Sequence, residues 1–137
     1  MSEARFQRSA WGSRAARSPL LAVLAGAAVV RCIAALRTDA IFNDGPLFIA
    51  LAQRFAAGEW RAALAHDYHP LYSLAIAFVE PLVSDWERAA LLVSVTAGSA
   101  AVFCLYRFLD AAFDARVAWI GALLLAVHPY AVAYSSD

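Results

Sequence analysis

Three long apolar segments constrain this chain more than any other feature. As predicted membrane spans they cover residues 18–36, 87–106 and 117–134. Eighteen helical residues rise about 27 Å, which just crosses the hydrocarbon core of a bilayer. With 63% hydrophobic and only 16% charged residues, the chain is also more apolar than soluble domains are. The pattern therefore predicts an all-α fold: a polytopic transmembrane helical protein with about three spans, plus interfacial helices on the outer side.

Arginines near the amino terminus orient these spans. Residues 1–17 contain Arg5, Arg8, Arg14 and Arg17, and basic residues favour the cytoplasmic side of a membrane. We therefore expect a cytoplasmic tail at 1–17, a cytoplasmic loop at 107–116, and outer segments at 37–86 and 135–137. The net charge of zero gives no support for a nucleic-acid partner.

Arg31 is the charged residue inside the first span. It lies near the outer end of the span, where a long side chain can snorkel to the membrane interface, and we expect it to do so. A cleaved signal peptide is the alternative interpretation of this segment. The length of the apolar run and the presence of Arg31 argue against that alternative.

The outer segment contains two further apolar stretches. Residues 46–57 have helical periodicity, with apolar side chains at Leu47, Leu51 and Phe55. Asn43 or Asp44 can cap this helix and Gly58 suits its end, so we expect a one-sided helix along the membrane surface. Residues 70–83 are apolar but too short for an ordinary span, which favours a re-entrant or interfacial segment. If 70–83 crossed the membrane, Asp137 would lie on the opposite side from Asp44.

Polar residues at the helix mouths form an ordered set of motifs. They are Asn43-Asp44-Gly45-Pro46, His69-Pro70-Leu71-Tyr72, Trp86-Glu87-Arg88 and Tyr134-Ser135-Ser136-Asp137. This order resembles the N-terminal part of membrane glycosyltransferases with the GT-C fold, in particular glycosyltransferase family 39, which includes the protein O-mannosyltransferases. The resemblance covers roughly residues 18–137. The family often has two adjacent acidic residues where this chain has Asp44 alone, and Glu where it has Asp137.

The resemblance implies a reaction and a place for it. The donor would be a sugar on a polyprenyl phosphate, presented at the outer face of the inner membrane, on the periplasmic or extracellular side. Asp44 would be the catalytic base, and His69, Tyr72, Arg88 and Asp137 would contact donor or acceptor. Family members are longer, so we expect this chain to be an N-terminal fragment. Alone it would be inactive, and it would need the remaining helices or a partner membrane protein.

Other interpretations of the same residues stay open. Asp44 can act simply as a helix cap, and Arg88 can be an interfacial anchor. His66 and His69 could share a divalent cation, although Pro70 disfavours the helix that would align them; no cofactor or metal ligand is assigned. The whole chain could instead be a non-catalytic membrane protein that packs against other helices, or part of a transporter.

Overall fold

The computed structural model describes residues 14–37 and 44–134, and these residues form helices without a strand. The all-α prediction is therefore confirmed. In chain order the helices are α1 (Arg14–Arg37), α2 (Gly45–Ala56), α3 (Trp60–Leu64), α4 (Pro70–Val83), α5 (Trp86–Ala112), α6 (Ala115–Val127) and α7 (Pro129–Ala133).

Two helices are long and apolar enough to cross a membrane. They are Leu20–Arg37, within α1, and Trp86–Ala112, which is α5. The 27 residues of α5 rise about 40 Å, more than the hydrocarbon core of about 30 Å. The expected loop at 107–116 is wrong, because α5 continues to Ala112 and only Phe113 and Asp114 separate it from α6. Arg and Asp near a span end are compatible with a helix that simply continues into water.

The third expected span is divided in the structure. Helix α6 ends at Val127, His128 has an extended backbone with φ −63° and ψ 121°, and α7 begins at Pro129. The 13 residues of α6 rise about 20 Å, less than the core of a bilayer. A crossing by residues 117–134 stays a prediction that uses both helices.

Helices α2 and α4 follow their expected bounds closely. Helix α2 ends at Ala56, and Gly58, the residue predicted to stop it, follows with φ 78°. Two bonds close its end, from Gly58 N to the Phe55 carbonyl at 3.1 Å and from Glu59 N to the Arg54 carbonyl at 2.9 Å, the pattern of a Schellman motif. Helix α4 covers Pro70–Val83, the segment expected to be re-entrant or interfacial. Its position relative to the membrane stays a prediction.

Helix α5 belongs to two packed groups of side chains. Its carboxyl-terminal half packs with α1 and α6 in what we call the Ala122 cluster, whose buried members are Ala27, Val102, Tyr106, Ala118, Ala122 and Ala126. Its amino-terminal half packs with α2 and α4 in the Phe48 cluster, which consists of buried Ala52, Ile76, Ala89 and Ala90 with Phe48 and Tyr72 against them. One rigid helix therefore connects the predicted spans to the segment that carries Asp44.

The expectation that Arg31 snorkels to the interface is wrong. Its side chain is only 1% exposed and hydrogen-bonds to backbone carbonyls of α1 and α6. The snorkelling argument considers one helix in isolation. The neighbouring helix supplies acceptors inside the protein, so the guanidinium does not have to reach water.

Candidate functional site

Asp44 stands directly before α2, and its backbone rather than its side chain starts the helix. The Asp44 carbonyl accepts bonds from Leu47 N at 3.0 Å and from Phe48 N at 3.1 Å. Its carboxylate makes no capping hydrogen bond. The position is therefore that of a helix cap, but the carboxylate is not occupied in the way a capping aspartate would be.

The Asp44 carboxylate instead acts on the phenol of Tyr68. Hydrogen bonding between the two groups and the negative charge of the carboxylate, together with slight desolvation, raise the pKa of Tyr68 above its usual value. Tyrosine is protonated at neutral pH in any case, and the raised pKa extends the range over which Tyr68 can donate to higher pH. Sequence reasoning did not select Tyr68. The only signal in the sequence was its place between His66 and His69. The contact joins segments more than twenty residues apart, which local patterns do not reveal.

Aromatic contacts connect this pair to the rest of the protein. The ring of Phe48 meets the rings of Tyr68 and Tyr72 edge to face, at centroid distances of 5.3 and 5.1 Å. The Tyr72 hydroxyl lies 2.7 Å from Ser94 Oγ and also donates to the Ala90 carbonyl at 3.3 Å. The predicted site residue Tyr72 therefore joins α4 to α5, and its hydroxyl is engaged in that contact.

His69 begins α4 but does not cap it with its side chain. It has φ −61° and ψ 123°, in agreement with the expectation that Pro70 keeps this residue out of a helix. A second His-Pro pair provides a comparison, because His128 has nearly the same backbone angles but accepts a bond from Ala131 N at its Nδ1, at 3.4 Å. The imidazole of His128 thus caps α7, whereas that of His69 is exposed and makes no such bond.

The two histidines of the 66–69 motif do not form a metal centre here. His66 Nδ1 accepts a bond from Tyr68 N at 3.4 Å, and the extended backbone of His69 separates the pair from a common helix face. Within residues 14–37 and 44–134, no three His, Cys, Asp or Glu side chains lie close enough together to hold a metal ion.

Arg88 lies in the first turn of α5, two residues before the carbonyl that Tyr72 contacts. Its side chain is well exposed, and its Nε is 3.8 Å from the Asp85 carboxylate. Asp85 also caps the helix by accepting a bond from Arg88 N at 2.9 Å.

Of the predicted site residues and their neighbours, the structure brings together Asp44, Tyr68 and, through Phe48, Tyr72. Asp137 lies outside the described residues.

A family model described as dolichyl-phosphate-mannose-protein mannosyltransferase matches residues 67–137, which is more than half of the 137 residues. The matched range includes His69, Tyr72, Arg88 and Asp137, and it begins after Asp44. No curated protein and no solved structure matches the chain significantly.

Proposed function

The chain belongs to the dolichyl-phosphate-mannose-protein mannosyltransferase family, and we propose from this premise that it transfers a sugar from a polyprenyl-phosphate-linked donor to an acceptor at the outer face of the membrane. Membership makes it a membrane glycosyltransferase of the GT-C type. The observation that carries the proposal further is the Asp44 carboxylate, which is held by Tyr68 and is not used to cap α2.

The proposed role of Asp44 is that of general base. The acceptor oxygen attacks the anomeric carbon, the bond from that carbon to the phosphate oxygen breaks, and the polyprenyl phosphate leaves with the electron pair. The acceptor's proton passes to the Asp44 carboxylate. A carboxylate within reach of the acceptor can accept this proton, and the single Tyr68 bond leaves acceptor positions free on its two oxygens.

Cationic and polar side chains near the Phe48 cluster suit the donor phosphate. Arg88 offers a forked set of N–H donors of the kind that binds phosphate well. His69 has an exposed imidazole that makes no cap bond. We propose that both contact the donor and that Tyr72 acts indirectly, by holding α4 against α5. Asp137 would be a second acidic residue of the same site if residues 117–134 cross the membrane.

The proposed location is the inner membrane, with residues 1–17 in the cytoplasm and the site on the periplasmic or extracellular side. The apolar spans of α1 and α5 support membrane insertion. A lipid-linked donor gives a physical reason for a membrane-embedded enzyme, because the polyprenyl chain stays in the bilayer while its head group reacts.

Replacing Asp44 by Asn in the native full-length protein tests the base. The change keeps the shape of the side chain but removes its basicity, so we expect transfer from radiolabelled polyprenyl phosphate mannose to fall by about 10²–10⁴-fold. The matched control is Glu59→Gln, the same chemical change at an exposed residue before α3 that makes no side-chain cap bond. It should leave transfer unchanged.

A third variant, Tyr68→Phe, separates the base from its support. It keeps the carboxylate but removes the phenol that holds it, so we expect a smaller loss than in Asp44→Asn, and the loss should be in turnover more than in KM. Full activity of Asp44→Asn at normal expression would show that Asp44 is not the base. An equal loss in Glu59→Gln would show that the assay reports the charge of the segment and not a catalytic group.

A further inference from the structure

Arg31 is the buried charged side chain among the described residues, and the reaction proposed above does not use it. It lies in α1, one turn from Ala27, at the edge of the Ala122 cluster. A guanidinium inside a predicted membrane span is costly unless its N–H groups find acceptors, so such residues generally have a specific task.

Two hydrogen bonds of the Arg31 side chain go to carbonyls at the end of α6. Its Nη1 donates to the Ala126 carbonyl at 3.2 Å and its Nη2 to the Leu125 carbonyl at 3.4 Å, while a third bond runs from Nη1 to the Ala27 carbonyl at 3.2 Å. A cation at the carboxyl end of a helix also interacts favourably with the helix dipole.

The break at His128-Pro129 removes the i+4 donors of those two carbonyls, and the Leu125 carbonyl keeps only a long bond from His128 N at 3.4 Å. In a continuous helix the Leu125 carbonyl would accept from residue 129, but Pro129 has no N–H. The Ala126 carbonyl would accept from Tyr130, but the extended backbone of His128 takes the chain off the helical path first. Arg31 therefore donates to carbonyls that the break deprives of their ordinary partners.

Hydrogen bonds also stabilise the chain on the α7 side of the break. His128 accepts bonds from Ala131 N through its Nδ1 and from Val132 N through its carbonyl, at 3.4 and 2.9 Å. These bonds start α7, which packs on both α1 and α6. Arg31 donates hydrogen bonds to carbonyls at the end of α6, and His128 begins α7. The chain therefore changes direction at a defined residue.

We propose that Arg31 is a positioning residue that fixes the break at His128-Pro129 and thereby the direction of α7. When the N–H donors of Arg31 are removed, α6 either continues as a helix through the break or unravels at its end. In both cases α7 no longer packs on α1.

A distance measurement tests the proposal without an activity assay. Spin labels replace the exposed residues Leu36 on α1 and Tyr130 on α7 in the full-length protein in lipid nanodiscs, with the exposed Cys32 and Cys104 changed to Ser. We expect one narrow distance in the parent. Arg31→Met should shift or broaden it by about 5 Å, roughly one helical turn, whereas Arg31→Lys should stay closer to the parent because it retains a charged donor.

A second variant separates positioning from simple loss of stability. Pro129→Ala restores an N–H opposite the Leu125 carbonyl, so in the Arg31→Met background it should recover the folded fraction. The label distance should not recover, because α6 now continues through the former break. An unchanged distance in Arg31→Met would overturn the proposal. So would a return to the parent distance in the Arg31→Met, Pro129→Ala double variant. If Arg31→Met alone folds less well than the parent, the absence of any gain in folded protein from Pro129→Ala would overturn it as well.

Discussion

The Ala122 and Phe48 clusters share helix α5 but are built in different ways. The Ala122 cluster closes largely through alanines, which allow α1, α5 and α6 to approach each other closely. The Phe48 cluster closes through aromatic rings in edge-to-face contact and through the Tyr72 hydroxyl, which bonds to α5. The first kind of packing holds helices side by side, and the second positions individual polar groups.

This difference explains where the candidate site lies. Alanine side chains carry no polar atoms, so the Ala122 cluster holds helices together, with the buried guanidinium of Arg31 at its edge. The ring of Phe48 packs against two tyrosine rings that each have a hydroxyl at the edge, Tyr72 within the cluster and Tyr68 beside it. Tyr68 uses its hydroxyl to hold Asp44, and Tyr72 uses its own to hold α5. The candidate carboxylate therefore lies beside a loop tyrosine that packs on Phe48 of α2, and Phe48 in turn packs on Tyr72 of α4.

The largest expected effect on this comparison comes from Ile76→Ala. Ile76 is the large side chain that is fully buried in the Phe48 cluster, and its truncation leaves a cavity that should lower the free energy of unfolding by about 2–5 kcal/mol. Phe78→Ala, on the same helix but 80% exposed, is the control and should have little effect. Denaturant unfolding in detergent measures both. Equal effects at the two positions would mean that the Phe48 cluster is not a packed unit.

A glycine pair tests the close approach in the Ala122 cluster with a smaller effect. A Cβ at Gly121 of α6 would overlap the end of the Leu109 side chain on α5, whereas a Cβ at Gly26 of α1 would meet nothing. Gly121→Ala should therefore be less stable than Gly26→Ala, by about 1 kcal/mol, because the end of the Leu109 side chain has to shift. Gly26→Ala should be neutral or slightly stabilising, because alanine favours helix more than glycine does.

Relief by a second change sharpens that test. Shortening Leu109 to Ala in the Gly121→Ala background removes the overlapping atoms, so the two changes should cost less together than the sum of their separate effects. Strict additivity in thermal unfolding would show that α5 and α6 do not approach as closely as described.

The smallest expected effect is a shift in the titration of Tyr68. The Asp44 carboxylate raises the pKa of this phenol, so the protonated, donating form persists to higher pH than in an ordinary tyrosine. Its contribution to stability is lost as the pH rises through the raised value. Asp44→Asn removes the charge, and the pKa of Tyr68 should fall toward its ordinary value of about 10. Phenolate absorbance during an alkaline titration measures the change. In a Tyr68→Phe background the same Asp44→Asn change should leave the titration unaltered, and a shift there would assign the effect to another tyrosine.

Local patterns predicted several elements well. The bounds of α4 and the stop of α2 at Gly58 agree with expectation, because Pro at a helix start and Gly at a helix end act within a few residues of where they stand. The expected loop at 107–116 failed for the opposite reason. Charged residues were interpreted as loop, but arginine is a good helix former and Asp110 lies within α5, so only the cap at Asp114 marks where α6 begins.

The candidate site was predicted in part. Asp44, His69, Tyr72 and Arg88 were selected from their order along the chain, and their assigned roles stay proposals. Tyr68 and the task of Arg31 were missed. Each acts through a contact between residues far apart in sequence, 24 positions for Tyr68 and Asp44 and 95 for Arg31 and Ala126.

By itself, the sequence determined that this protein is helical, that it is built for a membrane, and which family it belongs to. Those properties depend on composition, periodicity and short motifs, all of which are local. Only the tertiary structure decided that Asp44 is held by a phenol and that Arg31 serves the broken end of another helix. A polar side chain takes whichever partner the fold brings within about 3 Å, and packing between distant segments determines that partner.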